Sequence, residues 1–132
     1  MKIALIGYGK MGKEIEKIAL SRGHEIVARV DPFSGEDFTA PGLKSAEVAI
    51  EFTRPEAALN NYRECFELNI PVVSGTTGWL AHMEEIKEWC EQKGQTFFYA
   101  SNFSIGVNIF FELNRHLAKL MNPQDAYDVK MI

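Results

Sequence analysis

One short string constrains this chain more than anything else in it: Gly7-Tyr8-Gly9-Lys10-Met11-Gly12, set between an apolar run and a segment of helical periodicity. Residues 2–6 (K-I-A-L-I) are the run. Residues 10–22 then place Met11, Ile15, Ile18 and Ala19 on one face and Lys13, Glu14, Glu16 and Lys17 on the other. G-x-G-x-x-G between strand and helix has a mechanical reading. The first glycine permits a tight turn, the second lets the backbone approach a pyrophosphate, and the third lets the helix lie close on the strand. The helix start then presents N–H groups and partial positive charge to an anion. Alone, the string is also compatible with an ordinary turn, so the rest of the chain has to decide.

The apolar pattern keeps changing period. Ser21-Arg22-Gly23 closes the first helix, and residues 25–30 (E-I-V-A-R-V) read as a second strand ending at Asp31-Pro32. Residues 32–46 carry no period and read as a loop. Residues 47–52 form a third strand; Thr53 or Arg54 caps a helix to about residue 68, with Pro55 at its first position. A fourth strand at 71–74 leads into Gly75-Thr76-Thr77-Gly78, and a helix over about 79–93 stops at Gly94. Residues 96–100 are a fifth strand, and 105–121 a long amphipathic helix ended by Asn122-Pro123. Residues 127–132 (Y-D-V-K-M-I) alternate like a strand with nothing following to pair with, which suggests a truncated element. Strands alternating with helices predict an α/β fold: a Rossmann-like, doubly wound, mostly parallel sheet with helices on both faces.

Composition narrows the partners. The 132 residues carry a formal charge of −4, with 46% hydrophobic and 24% charged residues, as in a single globular domain. Mild acidity argues against nucleic acid, which wants clustered Lys and Arg. No apolar run approaches the roughly 18 residues that would span a membrane, and no signal peptide is evident. Cys65 and Cys90 lack C-x-x-C spacing and read as reduced thiols, which with the missing signal predicts a cytoplasmic protein. His24, His82 and His116 share no metal-ligand spacing, so no metal site is expected. No G-x-S-x-G elbow is present, neither cysteine has an obvious base partner, and no residue reads as a general acid.

Asp31 follows the glycine loop by about twenty residues, at a strand end where a carboxylate accepts from the adenosine ribose hydroxyls. It would repel a 2′-phosphate, and Pro32-Phe33 rather than an arginine follow it, so the cofactor leans to NAD over NADP. The plain alternative is a turn aspartate before proline. Two more loops sit at strand ends, where open α/β sheets bind ligands. Gly75 to Gly78 offers the hydroxyls of Thr76 and Thr77, and Ala100-Ser101-Asn102-Phe103-Ser104 offers an amide and an aromatic face. Either could be no more than a capped loop.

Glu51 to Glu56 (E-F-T-R-P-E), Gly75 to Gly78 (G-T-T-G) and Ala100 to Asn108 (A-S-N-F-S-I-G-V-N), in that order, resemble the dihydrodipicolinate reductase family of bacterial lysine and diaminopimelate synthesis. The resemblance spans essentially the whole chain. It implies that Gly7, Tyr8, Gly9, Lys10, Met11, Gly12 and Asp31 hold the adenosine diphosphate half of NAD or NADP. It also implies that Phe52, Thr53, Gly75, Thr76, Thr77, Ala100, Ser101, Asn102 and Phe103 line the nicotinamide half. The glycine loop is one residue shorter than the family often has, and Glu51 stands where Asp is common. The family's H-H-x-x-K and P-S-G-T motifs follow a strand matching Tyr127 to Ile132. The resemblance therefore implies a dinucleotide domain over 1–126 and, at 127–132, the first strand of a truncated substrate and tetramerisation domain. On this reading the chain holds no catalytic residue, turns over little alone, and meets the dicarboxylate substrate only with the missing domain, in a homotetramer. The rival readings are a stand-alone dinucleotide-binding regulatory module and the front half of another amino-acid dehydrogenase.

Overall fold

The computed structural model describes residues 1–32, 35–128 and 130. Five parallel strands form one sheet: β1 (Lys2–Ile6), β2 (Glu25–Val30), β3 (Val48–Glu51), β4 (Val72–Ser74) and β5 (Phe97–Tyr99), in the order β2-β1-β3-β4-β5. Three helices make the crossovers: α1 (Lys10–Ser21) after β1, α2 (Pro55–Glu67) after β3 and α3 (Met83–Lys93) after β4. The sequence reading of the fold therefore holds, with strand ends differing by one residue. The contacts divide the chain into two units, Met1–Ser101 and Asn102–Ile132.

Two-residue alternation along β1 sorts the first unit's core into two layers. Ile3 and Leu5 join Ala19 of α1, with Ile15 and Tyr8 packed alongside. Ala4 and Ile6 join the larger layer of Ala49, Tyr62, Cys65, Phe66, Trp79 and Ile86 beneath α2 and α3. Each fully buried large apolar side chain contributes roughly 1.5–3 kcal/mol. The α2 stripe is Ala58, Tyr62, Cys65 and Phe66, at helical spacing, and Pro55 starts that helix without losing a bond, its N-cap being Arg54. Gly94, at φ +62°, closes α3 in the left-handed conformation that terminates a helix.

Two expectations change. The loop 32–46 contains a 3₁₀ turn, Pro41–Ser45, held by the single buried side chain Leu43, too short a segment to show a period. On α1 the buried residues are Gly12 and Ala19 with Ile15 partly buried between them, while Met11 and Ile18 stay about half exposed at 51% and 49%. Small residues at 12 and 19 let that helix lie close to the sheet, which leaves its larger flanking residues at the margin.

The second unit is built on α4 (Ile105–Met121), matching the expected span. Ser104 caps it by accepting from the Val107 N–H, and the Asn108 side-chain amide donates to the carbonyls of Asn102 and Ser104. Of the strand expected over 127–132, Val129, Met131 and Ile132 lie outside the described residues, and Tyr127, Asp128 and Lys130 belong to no regular element.

Candidate functional site

In the order β2-β1-β3-β4-β5 the chain winds outward in both directions from the β1/β3 pair, and a crevice forms beyond the carboxyl ends of such strands. The glycine loop lies there. Gly7 ends β1 at φ +95°, and its N–H donates to the Val30 carbonyl at 2.8 Å, tying the loop to the end of β2. A methyl group at Gly7 would overlap the Phe52 carbonyl oxygen, and one at Gly12 would overlap the Gly7 carbonyl oxygen. Gly9 differs: nothing lies within 4 Å of where its side chain would be. The first and third glycines are thus demanded by the protein's own packing, and the second keeps a space clear.

Gly9 is also the N-cap of α1, with no side-chain cap and no acidic residue in the first turn. The opening N–H groups of the helix face that space with Lys10 exposed beside them, a setting that favours an anion. Tyr8 is anchored through its side chain: its hydroxyl donates to Glu16, and its ring lies 5.9 Å from the Lys13 Nζ and 5.8 Å from the Arg29 guanidinium. Arg29 also binds Glu16 and holds that carboxyl below its ordinary range, while donation to Glu16 raises the Tyr8 phenol. So fixed, the Tyr8 backbone N–H donates to Asp31 Oδ2 at 2.8 Å. Asp31 therefore stands beside the glycine loop, as its spacing predicts.

The ends of β3 and β4 meet at Phe52, whose N–H donates to the Ile6 carbonyl at 2.9 Å. A methyl group at Gly75 would run into the Phe52 ring. The Thr53 N–H donates to the Thr76 hydroxyl at 2.7 Å, linking the two loops. Thr76 is buried, whereas Thr77 is exposed. Of the two hydroxyls in Gly75 to Gly78, then, Thr76 is turned into the protein and Thr77 lies at the surface.

Beneath these loops sits a group that sequence reasoning passed over. Glu51 is fully buried, and its carboxyl accepts from the hydroxyls of Thr53, Ser74 (2.7 Å) and Thr76 (2.9 Å). The Tyr62 hydroxyl lies 2.7 Å from the Ser74 hydroxyl, and Asn61 donates to Thr53. Trp79 closes the cluster, donating its indole N–H to the Thr76 carbonyl at 2.7 Å. Burial raises the Tyr62 phenol and pushes the Cys65 thiol up to about 12, the Glu51 charge adding to both, so Cys65 is no nucleophile at neutral pH. A signal for Glu51 exists in the sequence: it falls two residues after Ala49, on the strand face that goes to the core.

The Ala100 N–H donates to the Ser74 carbonyl at 3.4 Å, setting the start of the third loop against β4, and Ser101 ends the first unit. Asn102 and Phe103 belong to the second unit, where Asn102 Oδ1 accepts from the Ser104 N–H at 2.8 Å. Gly7, Tyr8, Asp31, Phe52, Thr53, Gly75 and Thr76 are brought into one connected set; Lys10, Met11 and Thr77 lie exposed at its margin. Among the described residues no three His, Cys, Asp or Glu side chains could hold a metal ion, and no helix is long and apolar enough to cross a membrane.

Comparison with known proteins bears on this geometry. Residues 1–103 match the family model described as dihydrodipicolinate reductase, N-terminus. The 4-hydroxy-tetrahydrodipicolinate reductase of Christiangramia forsetii is 48% identical over 131 residues, covering 98% of this chain and 53% of that protein. The enzyme of the same name from Staphylococcus carnosus is 35% identical, covering 100% of this chain and 54% of that protein. This chain spans about half the length of the curated relatives it matches. A solved Gfo/Idh/MocA family oxidoreductase from Vibrio cholerae superposes with a TM-score of 0.62 at 15% identity, over 76% of this chain and 38% of that one. CapF, solved with an inhibitor, gives a TM-score of 0.58 at 17% identity, over 75% of this chain and 29% of that one. At those identities the two structures speak for the fold alone.

Proposed function

The chain belongs to the dihydrodipicolinate reductase family, and we propose that it is the part of such a reductase that holds the nicotinamide dinucleotide. The observation that carries the proposal is the division of labour in the glycine loop. Gly7 and Gly12 are required by contacts within the protein, but Gly9 is open on the side where the uncapped start of α1 points. An open backbone at a helix start is what a pyrophosphate needs.

Gly7 to Gly12 hold the diphosphate by backbone N–H groups, with Lys10 adding charge. Asp31 takes the adenosine ribose hydroxyls. NAD is preferred over NADP, because Asp31 disfavours a 2′-phosphate and the neighbouring Arg29 is engaged by Glu16. Phe52, Thr53, Gly75, Thr76, Thr77, Ala100 and Ser101 border the nicotinamide half. The reduced nicotinamide supplies a hydride; this chain's share is to bind the carrier and orient its ring. In the whole reductase that hydride goes to the cyclic dicarboxylate imine left when 4-hydroxy-tetrahydrodipicolinate loses water, and with one proton it gives tetrahydrodipicolinate.

Calorimetric titration of the purified chain with NADH and NADPH, with Asp31→Ala and Gly9→Ala alongside, tests the reading. NADH binding that falls about tenfold in Asp31→Ala, the loss of one or two hydrogen bonds, and is abolished in a folded Gly9→Ala is expected. Failure of the unmodified chain to bind either dinucleotide would sink it.

A further inference from the structure

Among the described residues Glu51 is the one charged-type side chain that is buried, and it is fully inaccessible. It sits where three strands end together, in register with Ile6 of β1 and Ser74 of β4. Among the described residues no ion pair includes it. A carboxyl group in such a place is costly to keep unless hydrogen bonds satisfy it. The hydroxyls of Thr53, Ser74 and Thr76 do so, and they come from the ends of two different strands.

Those bonds decide what the two loops can present. Each hydroxyl has one proton to give. The Thr76 proton goes to Glu51 while its oxygen accepts from the Thr53 N–H; the Thr53 proton goes to Glu51 while its oxygen accepts from Asn61. Both threonine hydroxyls are thereby turned inward and engaged. What the loops turn outward is backbone, the half-buried Phe52 and the exposed Thr77. The arrangement is a cross-link: one carboxyl group fastens the loop after β3 to the loop after β4.

We propose that Glu51 is a positioning residue for the nicotinamide half of the site, fixing the loops at Phe52–Thr53 and Gly75–Thr77 in one relative placement by drawing the Thr53 and Thr76 hydroxyls onto its carboxyl group. The proposal rests on the dinucleotide reading given above. It assigns the contacts with the nicotinamide end to loop backbone and to Thr77, not to the hydroxyls of Thr53 and Thr76. It also predicts that the adenosine end is indifferent to Glu51, since Asp31 and the glycine loop are not among its partners.

The test compares NADH with ADP-ribose, which lacks the nicotinamide, on the full chain and three variants. Glu51→Met keeps the volume and removes both acceptor oxygens. Thr76→Val keeps the shape and removes one hydroxyl. Glu51→Gln keeps an acceptor for the two threonines and can donate to Ser74, which then donates to Tyr62. In the unmodified chain NADH binds more tightly than ADP-ribose, and bound NADH shows enhanced nicotinamide emission. The expected result is that this advantage falls at least fivefold in Glu51→Met and Thr76→Val, with the emission enhancement lost, while ADP-ribose affinity stays within twofold. Glu51→Gln restores most of it.

An unchanged ratio in folded variants would overturn the proposal, as would parallel loss of both ligands, the mark of a merely structural role. Equal binding of NADH and ADP-ribose by the unmodified chain would overturn it too, leaving the dinucleotide reading standing for the adenosine half. Binding of neither ligand would remove that reading itself, and this one with it. Should Glu51→Met not fold, Thr76→Val decides by the same ratio.

Discussion

The glycine loop and the Glu51 cluster lie at the carboxyl ends of the neighbouring strands β1 and β3, and they are built by opposite means. The loop is made of backbone: Gly7 at a positive φ, close approach at Gly7 and Gly12, and a clear space at Gly9. The cluster is made of side chains, a buried carboxyl group satisfied by hydroxyls from two strands. Where backbone packs on backbone, as at Gly7 and Gly12, a single Cβ is already too much. A side-chain network is graded, since each hydrogen bond can be removed separately at a cost of about 1–3 kcal/mol when a buried partner is left unsatisfied.

The sharpest way to break that contrast is within the loop. Gly7→Ala combines an unfavourable φ with overlap on the Phe52 carbonyl and should cost about 3 kcal/mol or more, read from the urea midpoint. Gly9→Ala should stay within about 0.5 kcal/mol of the parent, there being nothing for its methyl to meet. Comparable destabilisation by the two would mean that the loop is not divided as described.

In the cluster, Tyr62→Phe removes one hydroxyl from the Ser74 chain and should cost about 1–2 kcal/mol with cooperative unfolding retained. Loss of the fold from this one oxygen would show that the network is as unforgiving as the loop.

A smaller effect lies in alkali. The Cys65 thiol is raised from 9.0 to about 12 in the folded chain, so the unfolded chain gives up its proton first. The stability this contributes is intact below pH 9 and is lost as pH rises toward the folded value, at about 1 kcal/mol per pH unit. Urea midpoints at pH 8.5 and 10 should show the decline, and Cys65→Ala should flatten it. Smallest is the acid side. Glu16 is depressed by Arg29, so its contribution is present above the ordinary carboxylate value of 4.5 and fades as pH falls through the lower folded value. Arg29→Gln should weaken that dependence, the Tyr8 hydrogen bond to Glu16 remaining, with added salt mimicking the loss in part.

The same contrast explains what could be read from the chain in advance. The glycine loop, the strand order's alternation with helices, and Asp31 at the end of β2 were all legible, because each has a local pattern with a fixed spacing. The span of α4 was legible from its periodicity alone. The inward turn of Thr76 was not: the string G-T-T-G carries no sign of which hydroxyl has a buried acceptor, and that acceptor is 25 residues away in sequence. Periodicity puts Met11 and Ile18 on the apolar face of α1 with Ile15 and Ala19, but the helix approaches the sheet along its smallest residues, which a periodicity count does not weigh. Leu43 anchors a five-residue turn through one side chain, below the length at which any period can be seen.

Phe52 has a consequence for anyone redesigning this domain. Its carbonyl abuts Gly7 and its ring abuts Gly75, so one residue gauges the spacing between the glycine loop and the loop after β4. On the dinucleotide reading proposed above, Asp31 is instead the position at which to retune toward a different dinucleotide. Any exchange at residue 52 would have to be made as a set with 7 and 75, and a recombined chimera joined between β3 and β4 would inherit mismatched halves.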